Sequence, residues 1–291
     1  MATRIATAEE GGTFWTQGQA LKSVLERDPA LAPVEVVASP GASIATAEEL
    51  AAGKVAFGFM AANWVPRARA GEAPFARPLD LRIVAPMNAG PLFFIARFDR
   101  QFRSVRDLAG KRVVFGPEKS GMAQHARLIL DLLGLAATPL YLDFAAGAAA
   151  VESGEADAQL QCPIPNRVMT ELSERCAIRV LPWDHAGLVH VLASVPFYRR
   201  ATMPRGALRG LDADTAQPGV LNLLVTSAGT EAALVAACAR AIAAGADELA
   251  RRNLLFAGLP ELLHDLTAIP GVSARFHEGA LSAYRELRLL P

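Results

Sequence analysis

The chain has 291 residues, three Cys, and 29 basic against 29 acidic residues, with 52% hydrophobic and 20% charged residues. That composition and a mean hydropathy of +0.25 describe a globular protein of one large or two modest domains, and exclude a disordered or collagen-like chain. The balanced charge, with no basic stretch interleaved with aromatics, gives no footprint for nucleic acid.

The N-terminal residues lead straight into Glu9 and Glu10 with no charged segment followed by an apolar one. No signal peptide is therefore expected in this sequence, leaving a cytosolic protein or one whose signal has been removed. The longest small-apolar stretch, near residues 221–246, is interrupted by Glu231 and Arg240 and does not read as a membrane span.

In chain order, a polar Gly-containing turn at residues 10–15 opens onto a helix at 17–27, with Ala20, Leu21, Val24 and Leu25 on one stripe. A strand at 34–38 leads into a second such turn, Ser39-Pro40-Gly41-Ala42-Ser43. A strand at 55–59 is followed by Asn63 and Trp64, then by a polar loop carrying Arg67 and Arg69. Strands are predicted at 81–85, 92–96 and 112–115, and a third turn, Gly116 to Gly121, leads into a helix at 120–133. Strands at 140–142, 157–160, 178–181, 188–193 and 219–225 follow, with helical Ala-rich filler at 145–150 and a helix at 230–249. Strands alternating with helices define an α/β fold.

The three turns share one chemistry. Each follows a strand or the chain start, precedes a helix, and offers free backbone N–H groups beside hydroxyl side chains, which suits a carboxylate or phosphate. Open α/β sheets bind ligands at the carboxyl ends of their strands. Candidate hydrogen-bonding residues are Thr13, Ser39, Gly41, Ser43, Ser120, Gly121 and Met122, with Phe14 and Trp15 walling the apolar part of a ligand. Asn63 and Trp64 follow one strand, and Gln161, Pro163 and Asn166 follow another as a facing wall. Lys119 is a loop cation beside the third turn, Arg67 and Arg69 read as surface, and His277 as structural.

Catalytic readings find little support. There is no G-x-S-x-G elbow, no G-x-x-x-x-G-K-[ST], no H-E-x-x-H and no G-x-G-x-x-G. The five His show no metal-ligand spacing, and Cys162, Cys176 and Cys238 read as buried free thiols. No metal, cofactor or catalytic residue is assigned.

Several blocks together resemble the TAXI proteins, the solute-binding subunits of one class of TRAP (tripartite ATP-independent periplasmic) transporter. Gly11-Gly12-Thr13-Phe14-Trp15-Thr16-Gln17-Gly18 is similar to the family's G-G-T-Y-Y-x-x-G opening. Gly41-Ala42-Ser43-Ile44 and then Leu50 to Phe59 resemble its G-S-V-x-N and L-x-x-G-x-x-D-x-G-F stretches. Ser104 to Val113 resembles S-x-x-D-L-x-G-K-x-V, Gly154 to Ala158 matches G-x-x-D-A, and Met203 to Gly210 fits P-x-G-x-Y-x-G. Phe276-His277-Glu278-Gly279-Ala280 and Tyr284-Arg285-Glu286 resemble the closing H-x-G-A and Y-x-E.

The resemblance implies a type II periplasmic-binding-protein fold. Two α/β lobes (1–88 with 196–291, and 89–195) are joined by crossings near 86–92 and 194–198, and a hinge closes on a ligand in the cleft. It implies a small organic acid as ligand, membrane subunits of a TRAP transporter as partner, and a periplasmic location. Phe14 and Trp15 replace the usual Tyr pair, and Lys119-Ser120-Gly121-Met122 replaces G-S-G-T. Fewer hydroxyls and a Trp point to a more apolar acid than the family's glutamate-like ligands.

Overall fold

Each of the first three strands feeds a helix: β1 (Thr3–Ala6), α1 (Thr13–Leu25), β2 (Val34–Val37), α2 (Ala42–Ala51), β3 (Phe57–Ala61) and α3 (Trp64–Ala70). The middle of the chain comprises β4 (Leu81–Pro91), β5 (Phe93–Arg97), β6 (Arg112–Val114), α4 (Gly121–Leu132), β7 (Thr138–Leu140), α5 (Phe144–Ser153), β8 (Ala158–Gln161), α6 (Arg167–Arg175), β9 (Ile178–Val180) and α7 (His185–Ser194). It closes with β10 (Tyr198–Met203), β11 (Thr215–Ser227), α8 (Ala232–Arg252), α9 (Leu259–His264) and α10 (Glu278–Glu286). This computed structural model describes every residue except Met1, Glu9, Gly11, Gly12, Lys119 and 270–274. The chain divides into two units, Met1–Asn88 with Leu221–Pro291, and Ala89–Val220.

In unit one the order β2-β1-β3-β11 builds the sheet, and β4 pairs with β11. Strands β1, β2 and β3 are mutually parallel, with Ile5 opposite Val36 and Phe57, while β11 runs antiparallel to β3. Strand β1 went unread in the sequence because it is four residues long and carries Arg4. Its place is secured by tertiary pairing, with Arg4 opposite Glu35 in register and their side chains 3.1 Å apart. The core beneath the helices is Ile5, Leu21, Leu25, Leu50, Phe57 and Phe59, all fully buried. Helix α2 lies so close to β3 that a Cβ on Gly58 would stand 2.3 Å from Thr46 Cγ2, so only glycine fits there.

Unit two has its own sheet in the order β7-β6-β8-β5-β9. Strands β7, β6 and β8 are parallel, and β5 runs antiparallel to both β8 and β9. Phe93, Ile95, Val114, Val151, Met169 and Leu172 form its core. The residues Tyr198–Met203 pair antiparallel with the first half of β11.

Two expectations are corrected. Residues 188–193 are helical, not a strand: the Asp184 side chain accepts from the Gly187 N–H at 2.7 Å and starts α7. Leu188 and Val191, three apart, are the buried pair, while Val189 is 48% exposed, which is helical and not alternating burial. Arg67 and Arg69 sit in α3 rather than in a polar loop. Arg67 lies over the Trp64 ring, 5.4 Å from its centroid. Among the described residues no helix is long and apolar enough to cross a membrane.

Candidate functional site

Parallel strands connected by helices bring every strand-to-helix loop to the same sheet edge. In unit one that edge collects Thr13, Phe14 and Trp15 at the start of α1, Ser39, Gly41 and Ser43 around the start of α2, and Asn63 and Trp64 at the start of α3. Thr13, Phe14 and Trp15 are each half-buried, and Phe14 stacks on Phe59 with ring centroids 5.6 Å apart. Gly41 takes the left-handed conformation, φ 100°, that lets the chain turn into α2.

Two of the hydroxyls are engaged within the unit. Ser39 Oγ donates to Glu49 Oε2 at 2.6 Å, and Ser43 Oγ accepts from the Ala61 N–H at 3.0 Å. Trp64 packs inward, edge-on to Phe75 at 6.3 Å. Asn63 holds the N-cap position of α3, yet its side chain makes no capping bond and its buried Oδ1 meets no donor among the described residues. Gly11 and Gly12 of the opening motif, and Lys119 of the third turn, lie outside the described residues.

Unit two collects the other candidates at the carboxyl ends of β6 and β8. Ser120 is the N-cap of α4, its Oγ accepting from the Ala123 N–H at 3.1 Å, so the hydroxyl proton remains to be donated. Gly121 and Met122 open that helix, both half-buried. Gln161 ends β8 and is 1% exposed. Asn166 caps α6 by accepting from the Met169 N–H at 3.1 Å, and its Nδ2 donates to Gln161 Oε1 at 3.0 Å. That bond fixes the Gln161 amide so that Nε2 is the group left over, and Nε2 is a buried donor with no acceptor among the described residues. Pro163 is half-buried between them in the chain.

The sequence reading missed three residues of unit one. Gln17 Nε2 and Asn222 Nδ2 both donate to Asn88 Oδ1, each at 3.1 Å, and all three are buried. The available signal was a carboxamide interrupting two apolar strand runs, at Asn88 in β4 and Asn222 in β11, since burying an unpaired amide is unfavourable.

Among the described residues the titratable groups give no nucleophile or acid–base pair. Burial pushes the Cys162 thiol up to about 12 and raises Cys238 as well, and all three Cys are free. His125 is buried beside Tyr198, Nδ1 to Oη 2.8 Å, and burial lowers it to about 4, so it is neutral near pH 7. His277 caps α10, Nδ1 accepting from the Gly279 N–H at 3.1 Å. Among the described residues no group of His, Cys, Asp and Glu is placed to hold a metal.

Two α/β units, each with its loops gathered at the strand carboxyl ends, define the type II periplasmic-binding-protein fold. The NMT1-like family matches residues 5–287, and the chain belongs to that family. The fold is similar to that of the putative sulfonate ABC transporter periplasmic sulfonate-binding protein SsuA of Methylobacillus flagellatus KT, with TM-score 0.59, 15% identity, and 99% of this chain and 95% of that one covered. A TctC solute binding protein from Polaromonas aligns with TM-score 0.57, 16% identity, and 99% and 98% coverage. The probable amino-acid ABC transporter extracellular-binding protein ytmK of Bacillus subtilis aligns with TM-score 0.56, 14% identity, and 86% and 95% coverage.

Proposed function

We propose that this protein is a solute-binding protein that captures a small organic acid in the periplasm and delivers it to the membrane subunits of a TRAP-type transporter. The observation that carries the acid is Gln161 Nε2, a buried amide donor held in place by Asn166 and left without an acceptor among the described residues. A carboxylate oxygen supplies that acceptor. Ser120 and the first backbone N–H groups of α4 are further donors at the same sheet edge. In unit one, Thr13 and the aromatic pair Phe14 and Trp15 form a separate, partly apolar group of candidate contacts.

Membership of the NMT1-like family and the likeness to transport-linked binding proteins support capture without turnover. The opening and closing motifs that resemble TAXI proteins support the TRAP-type partner. One observation favours a second reading, a cytosolic ligand sensor on the same fold: all three Cys are free thiols, the usual state in a reducing compartment. Cell fractionation separates the two.

A thermal-shift panel of dicarboxylates, keto acids, acidic amino acids and aromatic acids tests the ligand class. An acid at about 100 times its Kd adds roughly 2.7 kcal/mol, enough for a visible rise in Tm. The expected result is a hit whose shift is lost or strongly reduced in Gln161→Leu and in Ser120→Ala. An unmoved Tm across every acid contradicts the proposal.

A further inference from the structure

The carboxamide cluster of unit one is unused by the carboxylate contacts proposed above. Gln17 is fully buried on α1, Asn88 is 6% exposed in β4, and Asn222 is 6% exposed in β11. Because Asn88 Oδ1 receives both Gln17 Nε2 and Asn222 Nδ2, the Gln17 amide is held with its nitrogen committed and its oxygen left over. That oxygen is buried and meets no donor among the described residues.

A second acceptor lies at the same sheet edge. Asn222 stands opposite Ala61 in the β11–β3 register, two residues before Asn63. Asn63 is 7% exposed, its Oδ1 also has no donor among the described residues, and its side chain declines the capping bond that Asn ordinarily makes at that position. Folded proteins pair nearly all buried acceptors. Two acceptors unpaired among the described residues, one on α1 and one just past the carboxyl end of β3, suit donors on a solute, since α/β sheets take ligands at strand ends.

We propose that Gln17 and Asn63 form a specificity subsite for a neutral N–H or O–H donor on the solute, with Asn88 and Asn222 as positioning residues. A solute recognised at this subsite bears a hydroxyl, carboxamide or ring N–H. A neutral donor fits because the hydrogen bonds within the cluster run between amides alone, with no carboxylate among them to balance an ammonium. This inference rests on the proposed function only in placing the solute at these strand ends.

Calorimetric titration of matched probes tests it: malate against succinate, lactate against propionate, indole-3-acetate against naphthalene-1-acetate, and each hydroxy acid against its amino acid. Neutral polyols and diamides form a separate arm. The expected result is that the member bearing a neutral donor binds at least tenfold tighter. That ratio should fall to within about threefold in Gln17→Met, which leaves Asn88 its bond from Asn222, or in Asn63→Ala, which removes no capping bond. Equal affinities within the pairs overturn the subsite while leaving an acid-binding protein standing. Tighter binding of the amino acids than of the hydroxy acids overturns the neutral donor. Binding of the neutral arm alone sinks the acid reading and keeps the subsite, and no binding by any probe overturns both.

Discussion

His125 shows what burial does to a single titratable group here. It is 6% exposed, 2.8 Å from Tyr198 Oη, and in ring contact with Phe197 and Tyr198. Burial lowers it from 6.5 to about 4. Between those values the unfolded chain carries a proton that the folded chain refuses, so stability is intact above about pH 6.5 and drains as pH falls toward 4. At about 1.4 kcal/mol per unit, the effect amounts to at most about 3.5 kcal/mol. Urea unfolding at pH 7 and pH 4.5 measures it. In His125→Phe the loss of stability across that window should be smaller than in wild type, whatever the offset at pH 7. Parallel stability curves for the two proteins would show that the buried imidazole is not responsible.

At the residue scale the candidate site was legible wherever chemistry and chain position coincide. Thr13, Ser43, Ser120 and Asn166 each sit at the start of a helix that follows a strand or within one residue of it, and short polar residues at that junction are visible in a sequence. Gln17, Asn88 and Asn222 were not legible as a group, because their bonds span 71 and 134 residues of chain and no local pattern joins them.

The packing of α1 on α8 in unit one turns on a glycine. Gly245 lies inside α8, where replacing Gly by Ala in an open helix normally gains roughly 0.5–1 kcal/mol. Here a Cβ would stand 2.4 Å from Cγ1 of Val24, a stiff and buried side chain of α1. Gly245→Ala should therefore destabilise by about 1–3 kcal/mol, and Val24→Ala in the same chain should recover part of that loss. A double-mutant cycle by urea unfolding measures the coupling, and a stabilised single mutant would contradict the contact.

The same scale explains which elements the sequence revealed. Helix α8 repeats its buried residues at helical spacing for about four turns and was plain. Helix α7 was mistaken for a strand because Leu188 to Ala193 is rich in Val and Leu. Only the Asp184 cap and the three-residue spacing of its buried pair identify it. Strand β10 buries Tyr198, Ala201 and Met203 without a regular alternation, and it pairs with the distant 215–220 segment, a contact no local window contains.

For the whole molecule, the balanced charge supplies no general attraction for an anion, so affinity for an acid has to come from a few fixed donors. Buried amides with one hand held and one free, Gln161 in unit two and Gln17 in unit one, are donors and acceptors of that kind. In the proposed function they recognise a solute without changing it; no neighbouring nucleophile or acid–base pair was found among the described residues. The most direct test is calorimetric titration of the purified protein with the acid that gives the largest thermal shift, with the acid analysed afterwards. One saturable site per chain and an acid recovered unchanged is the result the account predicts. Heat that continues with time as the acid is converted, or no saturable heat with any acid at millimolar concentration, would contradict it.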